Sequence, residues 1–317
     1  MFDALKAYGS MFLLRKSEET IATYYLENKI FSFVHFYIGQ EAVAVGVVEN
    51  LSKQDRAFGN HRSHGHYLAK GGNLGRMYAE MLGKSTGCCH GKGGSMHMLD
   101  RSVNFMGTTP ILGSIVPISA GSALQQKMSE SKNITTVFIG DGASEEGIVY
   151  ESLNFGSLFK LPLLVVVENN LYSVNTPRED RKSIDYNYSE ICKGIDVNYV
   201  QADGNDFFDV YRKATEAIQL IQLTNKPTVL ECIVYRHMAH SAPIRDDKSG
   251  YRRLDTEVVR TKEDSLTKLR KYLLLNRPEE DIKKLEDSIE LLVKDSLQFA
   301  LDSPFPETSE LVKDVFY

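Results

Sequence analysis

The 317-residue chain holds only four cysteines, at positions 88, 89, 192 and 232, and no two of them form a C-x-x-C pair. They are too few and too scattered for a disulfide framework, and they lack the ligand spacing of a structural zinc site. Cys88 and Cys89 read as reduced thiols in a loop of small residues. Excess positive charge is also lacking: 37 Lys and Arg face 42 Asp and Glu, a net charge of −5. Without a strongly basic domain, nucleic acid is not an expected partner. No apolar run approaches the ~18 residues of a membrane-spanning helix, so no membrane association is expected. The opening segment MFDALKAYGSMFLLRKSEE shows no basic n-region, apolar h-region and small-residue cleavage site. A secretory leader is therefore not expected, and a cytoplasmic location is. Internal repeats, low-complexity tracts, flexible linkers and a sharp domain boundary are all missing.

What is present is the composition of a soluble globular protein, 42% hydrophobic and 25% charged. That is enough for one large α/β domain or two smaller ones. The first 30 residues carry helical periodicity in Leu5, Phe12, Leu13, Ile21, Tyr24 and Tyr25, and GQEAVAVGVVENL predicts a helix opening at Gly39. Residues 56 to 122 change character. They are rich in Gly and His, poor in strand periodicity, and predict a long functional loop region. An alternation follows: ITTVFIG (134–140) as a strand, SEEGIVYESLNFGSLFK as a helix beginning near Ala143, LPLLVVVE as a strand, YVQAD as another. FFDVYRKATEAIQLIQL then predicts a helix and PTVLECIVYR a strand. Strands apolar on both faces alternating with helices predict a parallel sheet covered by helices on both sides. Residues 254 to 303 predict charged helices that append to the same domain.

The stretch GDGASEEGIVYESLNFGSLFKLPLLVVVENN (140–170) carries the chemistry. It puts Asp141 at the carboxyl end of one strand and Asn170 at the carboxyl end of the next, where open α/β sheets bind ligands. Gly140 and Gly142 permit a tight turn, and the helix after them offers free N–H groups to an anion. A carboxylate and an amide oxygen are hard ligands suited to Mg²⁺. Either corner alone is an ordinary turn or strand exit; the pairing across one strand–helix–strand unit suggests a metal clamped on a diphosphate. Glu145 and Glu146 face the wrong way for a phosphate unless they cap the helix from its solvent side.

GDG followed by 26 residues and NN resembles the thiamine-diphosphate signature. FSFVHFYIGQEAVAVG, NHRSHG, GKGGSMHM, ILGSIVPISAGSAL and YRHMAHS occur in the order seen in alpha subunits of the decarboxylating component of 2-oxo acid dehydrogenase complexes. The chain is similar to the pyruvate and acetoin type from about residue 10 to 260. The resemblance implies a thiamine-diphosphate-binding α/β fold: a doubly wound parallel sheet with an N-terminal helix (together residues 1–253) and a C-terminal helical extension of the same domain (254–317).

By that similarity Asp141, Asn170 and the backbone oxygen of Tyr172 would ligate Mg²⁺, and Gly142 and Ala143 would offer N–H groups to the diphosphate of thiamine diphosphate. Arg62 would hold a diphosphate oxygen with a planar fork. His61 stands beside it where pyruvate-type relatives carry tyrosine, at a cofactor-binding position. Leu112 would lie by the aminopyrimidine, and Pro110 replaces a glycine of the relatives. His240 matches a loop histidine next to the diphosphate and His35 one near the substrate. With His64 they are the expected catalytic histidines, moving protons near neutral pH. His66, His90, His97 and His237 are expected to be structural. After His240, HSAPIRDDKSGYRR departs from the S-x-S-D-P-x pattern of close relatives, so phosphorylation of Ser241 is not expected.

The resemblance implies an oxidoreductase subunit that decarboxylates a small 2-oxo acid, pyruvate foremost, or cleaves acetoin. It would pass the acyl or hydroxyalkyl group to lipoyl-lysine of an acyltransferase partner. His61, Phe36 and Met106 are expected to shape a small substrate pocket. The glutamate that activates the cofactor lies on the beta chain of split relatives, and neither Glu41 nor Glu151 sits in such a context. A beta subunit completing an α₂β₂ heterotetramer is therefore expected. A carboligase or transketolase-like transferase with another acceptor is the alternative, kept open by the altered APIRDDKSG loop. A noncatalytic scaffold is a third reading, opposed by the intact Asp141, Asn170, Arg62 and His240 set.

Overall fold

The computed structural model describes residues 3–30, 32–252 and 264–313. Helix α1 (Ala4–Leu26) begins where the Asp3 side chain accepts the N–H groups of Leu5 and Lys6, and it buries Tyr8, Met11, Leu14 and Ile21. Helix α2 (Glu41–Val48) starts two residues later than the predicted Gly39. Gly39 instead makes the turn before it, at φ +100°; a Cβ there would lie 2.5 Å from the Tyr235 carbonyl, so the position is closed to other residues.

The region predicted as long functional loops is a correction. It contains strand β1 (Arg56–Gly59), helices α3 (Ser63–Ala69) and α4 (Leu74–Met81), strand β2 (Phe105–Thr108) and helix α5 (Ile115–Met128). Strands of four residues are too short to show a period, and α3 packs through small and imidazole side chains rather than an apolar stripe. Irregular chain remains between α4 and β2.

The predicted alternation is present beyond residue 134. Strand β3 (Thr135–Gly140) leads through a single turn at Ala143–Glu145 to α6 (Gly147–Leu158), four residues later than expected. Strand β4 (Leu163–Asn169), the short hairpin β5 (Tyr172–Ser173) and β6 (Thr176–Pro177), and helix α7 (Tyr188–Gly194) follow. Then come β7 (Asn198–Asp203), α8 (Phe207–Thr224) and β8 (Thr228–Ile233). Helices α9 (Ser265–Asn276) and α10 (Glu279–Asp302) account for the predicted C-terminal helices. Residues 254–263 of that prediction lie outside the described residues.

The main sheet runs β2-β1-β3-β4-β8-β7, and every pairing in it is parallel. Alternating residues of the central strands serve opposite faces. Val137, Ile139, Val165 and Val167 pack with α5, α6 and α7; Phe138, Leu164, Val166 and Leu230 pack with α2 and α8. Helices on both faces explain why these strands read as unbroken apolar runs. A third cluster joins α1 to α3, α4, α9 and α10 through Tyr8, Tyr67, Tyr78, Leu269 and Ile282. The strand order reverses about β1, with β2 on one side and β3 on the other, which opens a crevice at the carboxyl ends.

Candidate active site

That crevice holds a cavity of about 240 Å³. Its floor comes from three adjacent strand ends: Asn60, His61 and Arg62 after β1, the Gly140–Ala143 turn after β3, and Glu168 and Asn170 at the end of β4. His35, Leu112, Tyr172 and His240 complete it. Ten of the eleven residues expected from sequence therefore meet in one place. Their separation along the chain, from 35 to 240, makes chance association a poor account.

Asp141 is 1% exposed. Burial raises its pKa, and the Arg181 guanidinium beside it pulls the other way. Arg181 donates to Asp141 Oδ2 at 2.5 Å and to Glu145. Glu146 is the N-cap residue of α6, but neither its side chain nor that of Glu145 makes a capping hydrogen bond there. Glu145 is taken by Arg181 and Lys182, while Glu146 lines the cavity and accepts the Gly113 N–H at 2.9 Å, fixing the turn that carries Leu112. Gly142 lets the β5–β6 hairpin close on the turn; a Cβ there would meet Ser173 Oγ at 2.4 Å. Asn170 Oδ1 accepts the Tyr172 N–H at 3.2 Å, which orients the amide oxygen.

Arg62 is 3% exposed and its guanidinium is aimed by the Phe36 carbonyl at 2.7 Å and the His240 carbonyl at 3.2 Å. Burial, reinforced by Arg236 nearby, lowers its pKa to about 9. His35 packs edge-on against His61 and His240, with ring centroids 4.6 and 4.8 Å away. Burial and then Arg62 lower both His35 and His240 to about 3. His61 is lowered as well, again first by burial. Three neutral imidazoles thus face one another, each with a nitrogen within 4.8 Å of the others. Neither ring nitrogen of His61 has a hydrogen-bond partner among the described residues, and neither does His35 Nδ1.

His64, expected in the reacting set, is placed outside this cavity. It is fully buried, with Nδ1 2.7 Å from Glu18 Oε1 and Nε2 2.9 Å from Ser95 Oγ, and it does not line the cavity. Of the three residues expected to shape the pocket, only His61 does so. Phe36 is buried in the core and Met106 packs against the α5–α6 face of the sheet. Glu41 is committed to Arg15 at 2.6 Å, and Glu151 is exposed. Sequence reasoning missed Asn60, Glu146, Glu168, Arg236 and Gln40, which also line the cavity. All five stood in the quoted stretches, Gln40 in FYIGQEA, Asn60 in NHRSHG, Glu146 in GDGASEEG, Glu168 in ENN and Arg236 in YRHMAHS. A second group close enough to share a metal, Glu80 with Cys88 and Cys89, is already occupied: the Glu80 carboxylate accepts N–H groups from Cys89, Gly91, Gly93 and Gly94.

A parallel sheet with a glycine-flanked aspartate, an amide oxygen and a buried arginine at its switch point defines a cofactor-dependent α/β enzyme. Within that class, the chain belongs to the dehydrogenase E1 component family, whose model matches residues 9–309. It is 35% identical over 314 residues to the alpha subunit of acetoin:2,6-dichlorophenolindophenol oxidoreductase of Bacillus subtilis (strain 168), covering 99% of this chain and 93% of that one. It is 36% identical over 315 residues to the pyruvate dehydrogenase E1 component subunit alpha of Rickettsia felis, covering 98% and 95%. A chloroplastic pyruvate dehydrogenase E1 component subunit alpha-3 of Oryza sativa is 35% identical over 325 residues, 99% of this chain and 76% of the relative. Membership makes the chain an oxidoreductase of the E1 dehydrogenase type and implies thiamine diphosphate as its cofactor.

Proposed function

We propose that this chain is the diphosphate-holding alpha subunit of a cytoplasmic α₂β₂ enzyme that acts on acetoin or pyruvate with thiamine diphosphate and Mg²⁺. A lipoyl-bearing acyltransferase receives the two-carbon group. One observation carries the reading: Asp141, Asn170 and Arg62, from three different strand ends, surround one cavity with three neutral histidines. The donor set fits the cofactor. Asp141 and the oxygens of Asn170 and Tyr172 suit a hard cation. Arg62, with the Gly142 and Ala143 N–H groups, suits a diphosphate.

Thiamine diphosphate, when bound, supplies a carbanion nucleophile and an electron sink. The residues of this chain do the rest. Leu112, in the cavity wall, would flank the aminopyrimidine. His35 and His240, neutral at physiological pH, accept a proton from a substrate hydroxyl or return one at a ring nitrogen. The enclosing side chains keep water from the reacting carbon.

A volume of about 240 Å³ is below the roughly 300–1,000 Å³ of an enclosed small-molecule site, which supports a site shared with a beta subunit. So do Val174, 49% exposed in the cavity lining, and the exposed Ile111, with Ile118, Phe155 and Leu158 on α5 and α6. Acetoin is favoured over pyruvate by His61. Two unpartnered nitrogens on a neutral ring suit a neutral hydroxyl better than a carboxylate, and pyruvate-type relatives carry tyrosine there.

The test is calorimetry of thiamine diphosphate with Mg²⁺, on the chain alone and with its beta subunit, followed by turnover of acetoin and pyruvate. Tight binding only in the mixture, lost in Asp141→Ala, is the expected result. Tight binding by the lone chain would put the activating carboxylate within these 317 residues and end the shared-site reading.

A further inference from the structure

Arg181 belongs to no motif, yet it is the most committed side chain beside the GDG turn. It follows the β5–β6 hairpin and is 11% exposed. Its Nε donates to the Thr176 carbonyl at 3.2 Å, its Nη1 to Glu145 and its Nη2 to Asp141 Oδ2 at 2.5 Å. Three directions of one planar fork are thereby fixed, which a lysine could not reproduce. Lys182 adds a second cation 3.4 Å from Glu145.

The consequence lies at Asp141. Among the described residues, the hydrogen bonds to its carboxylate reach Oδ2 only, so Oδ1 is left for the cavity. A carboxylate held at one oxygen by a guanidinium favours binding a metal through the other oxygen alone over binding it through both. That geometry discriminates between ions. Mg²⁺ demands a near-octahedral shell and takes carboxylates singly, whereas the larger Ca²⁺ accepts 6–8 oxygens and readily binds both oxygens of one carboxylate. Glu145, held by the same guanidinium, offsets its positive charge, so the incoming ion does not meet a bare cation.

We propose that Arg181 is a positioning residue that pins Asp141 for single-oxygen coordination and so selects Mg²⁺ over Ca²⁺ at the cofactor site. The proposal rests on the assignment of Asp141 as a metal ligand. Partners that orient ligating carboxylates commonly change metal affinity 10–100-fold when removed.

The chain, assembled with its beta subunit and saturated with thiamine diphosphate, is titrated calorimetrically with Mg²⁺ and separately with Ca²⁺. Arg181→Met is expected to weaken Mg²⁺ about 10–100-fold while Ca²⁺ loses far less, so the ratio of affinities falls at least about tenfold. Arg181→Lys, which keeps one donor, recovers part of that ratio. Glu145→Gln, which frees the guanidinium at its other end, lowers the ratio in the same direction and serves if Arg181→Met does not fold. An unchanged ratio in both variants overturns the proposal, and so does an equal loss of both ions, because the guanidinium then only supports the turn. Failure of the unaltered assembly to bind either ion, or indifference to Asp141→Asn, would instead sink the metal site on which the proposal stands.

Discussion

Two sets of histidines lie within the six residues HRSHGH, and their surroundings are opposite. His64 and His66 are fully buried, His64 paired at both ring nitrogens and His66 at Nε2, its Nδ1 having no partner among the described residues. The first sits between Glu18 and Ser95, and the second bonds Glu168 at 2.9 Å. His61 is also buried, yet no described residue bonds either of its nitrogens, and it faces His35 and His240 across the cavity. Native structures pair nearly all buried polar atoms, so an unpaired one marks a place where something other than the fold selects the residue. Burial alone does not separate a structural histidine from a reacting one. The partner does.

The largest effect should come from the paired set. His64→Ala leaves the Glu18 carboxylate buried without its ring partner, and loss of one member of a buried pair costs about 3–5 kcal/mol. A denaturant midpoint measures it. His240→Ala and His35→Ala should do the reverse. The midpoint should move by about 1 kcal/mol or less, while kcat/KM falls about 10²–10⁴-fold, the usual contribution of a proton-transfer group. If His240→Ala unfolds the chain as readily as His64→Ala, the division between the two sets is wrong.

A smaller effect separates the sets by pH. His35 and His240 have folded pKa values of about 3, below the ordinary value of 6.5. Above pH 6.5 both rings are neutral in either state and nothing depends on pH. As pH falls from 6.5 towards 3, the unfolded chain takes up protons that the folded chain refuses, so stability falls across that window. Both rings are partly exposed, which keeps the loss modest. Nitrogen chemical shifts of labelled histidine should show His35 and His240 still neutral at pH 5. A midpoint near 6.5 for either ring would mean that Arg62 and burial do not govern it.

How far the sequence reveals all this depends on the range of the interaction. Strands β3, β4 and β8 are legible because both faces of each are covered and apolar residues fill their centres, Val137–Ile139, Leu163–Val167 and Val229–Leu230. Strands β1 and β2, four residues each, carry too few positions for a pattern, and α3, packed through His, Gly and Tyr, and α4, which buries Leu74, Met77, Tyr78 and Met81, are only seven and eight residues long. In the site, Asp141, Asn170, Arg62 and His240 stand in local motifs and could be found. The fate of a buried carboxylate could not. Glu168 is held by Tyr37, Asn60 and His66, up to 131 residues away, and Arg181 reaches Asp141 across 40. For the same reason His64 looked like its neighbour His61, since only the approach of α1 brings Glu18 to it.

The smallest effect carries the sharpest sign. At His64, removing the ring should destabilise; at His61, replacing it should not. The folded chain already bears the desolvation of two unpartnered ring nitrogens there. Replacing such a group by an apolar one of similar shape is near neutral or stabilising. His61→Phe extends towards the open cavity rather than into packed core, so overpacking is avoided. The midpoint should therefore stay within about 1 kcal/mol of native or rise, while acetoin turnover falls and pyruvate turnover changes less. His61→Tyr, which puts a hydroxyl donor in place of the unpartnered ring, should shift the same ratio towards pyruvate. A clear loss of stability in His61→Phe would mean that a partner bonds the ring in the assembled enzyme. His61 would then belong with His64 and His66, and the preference for acetoin would lose its physical basis.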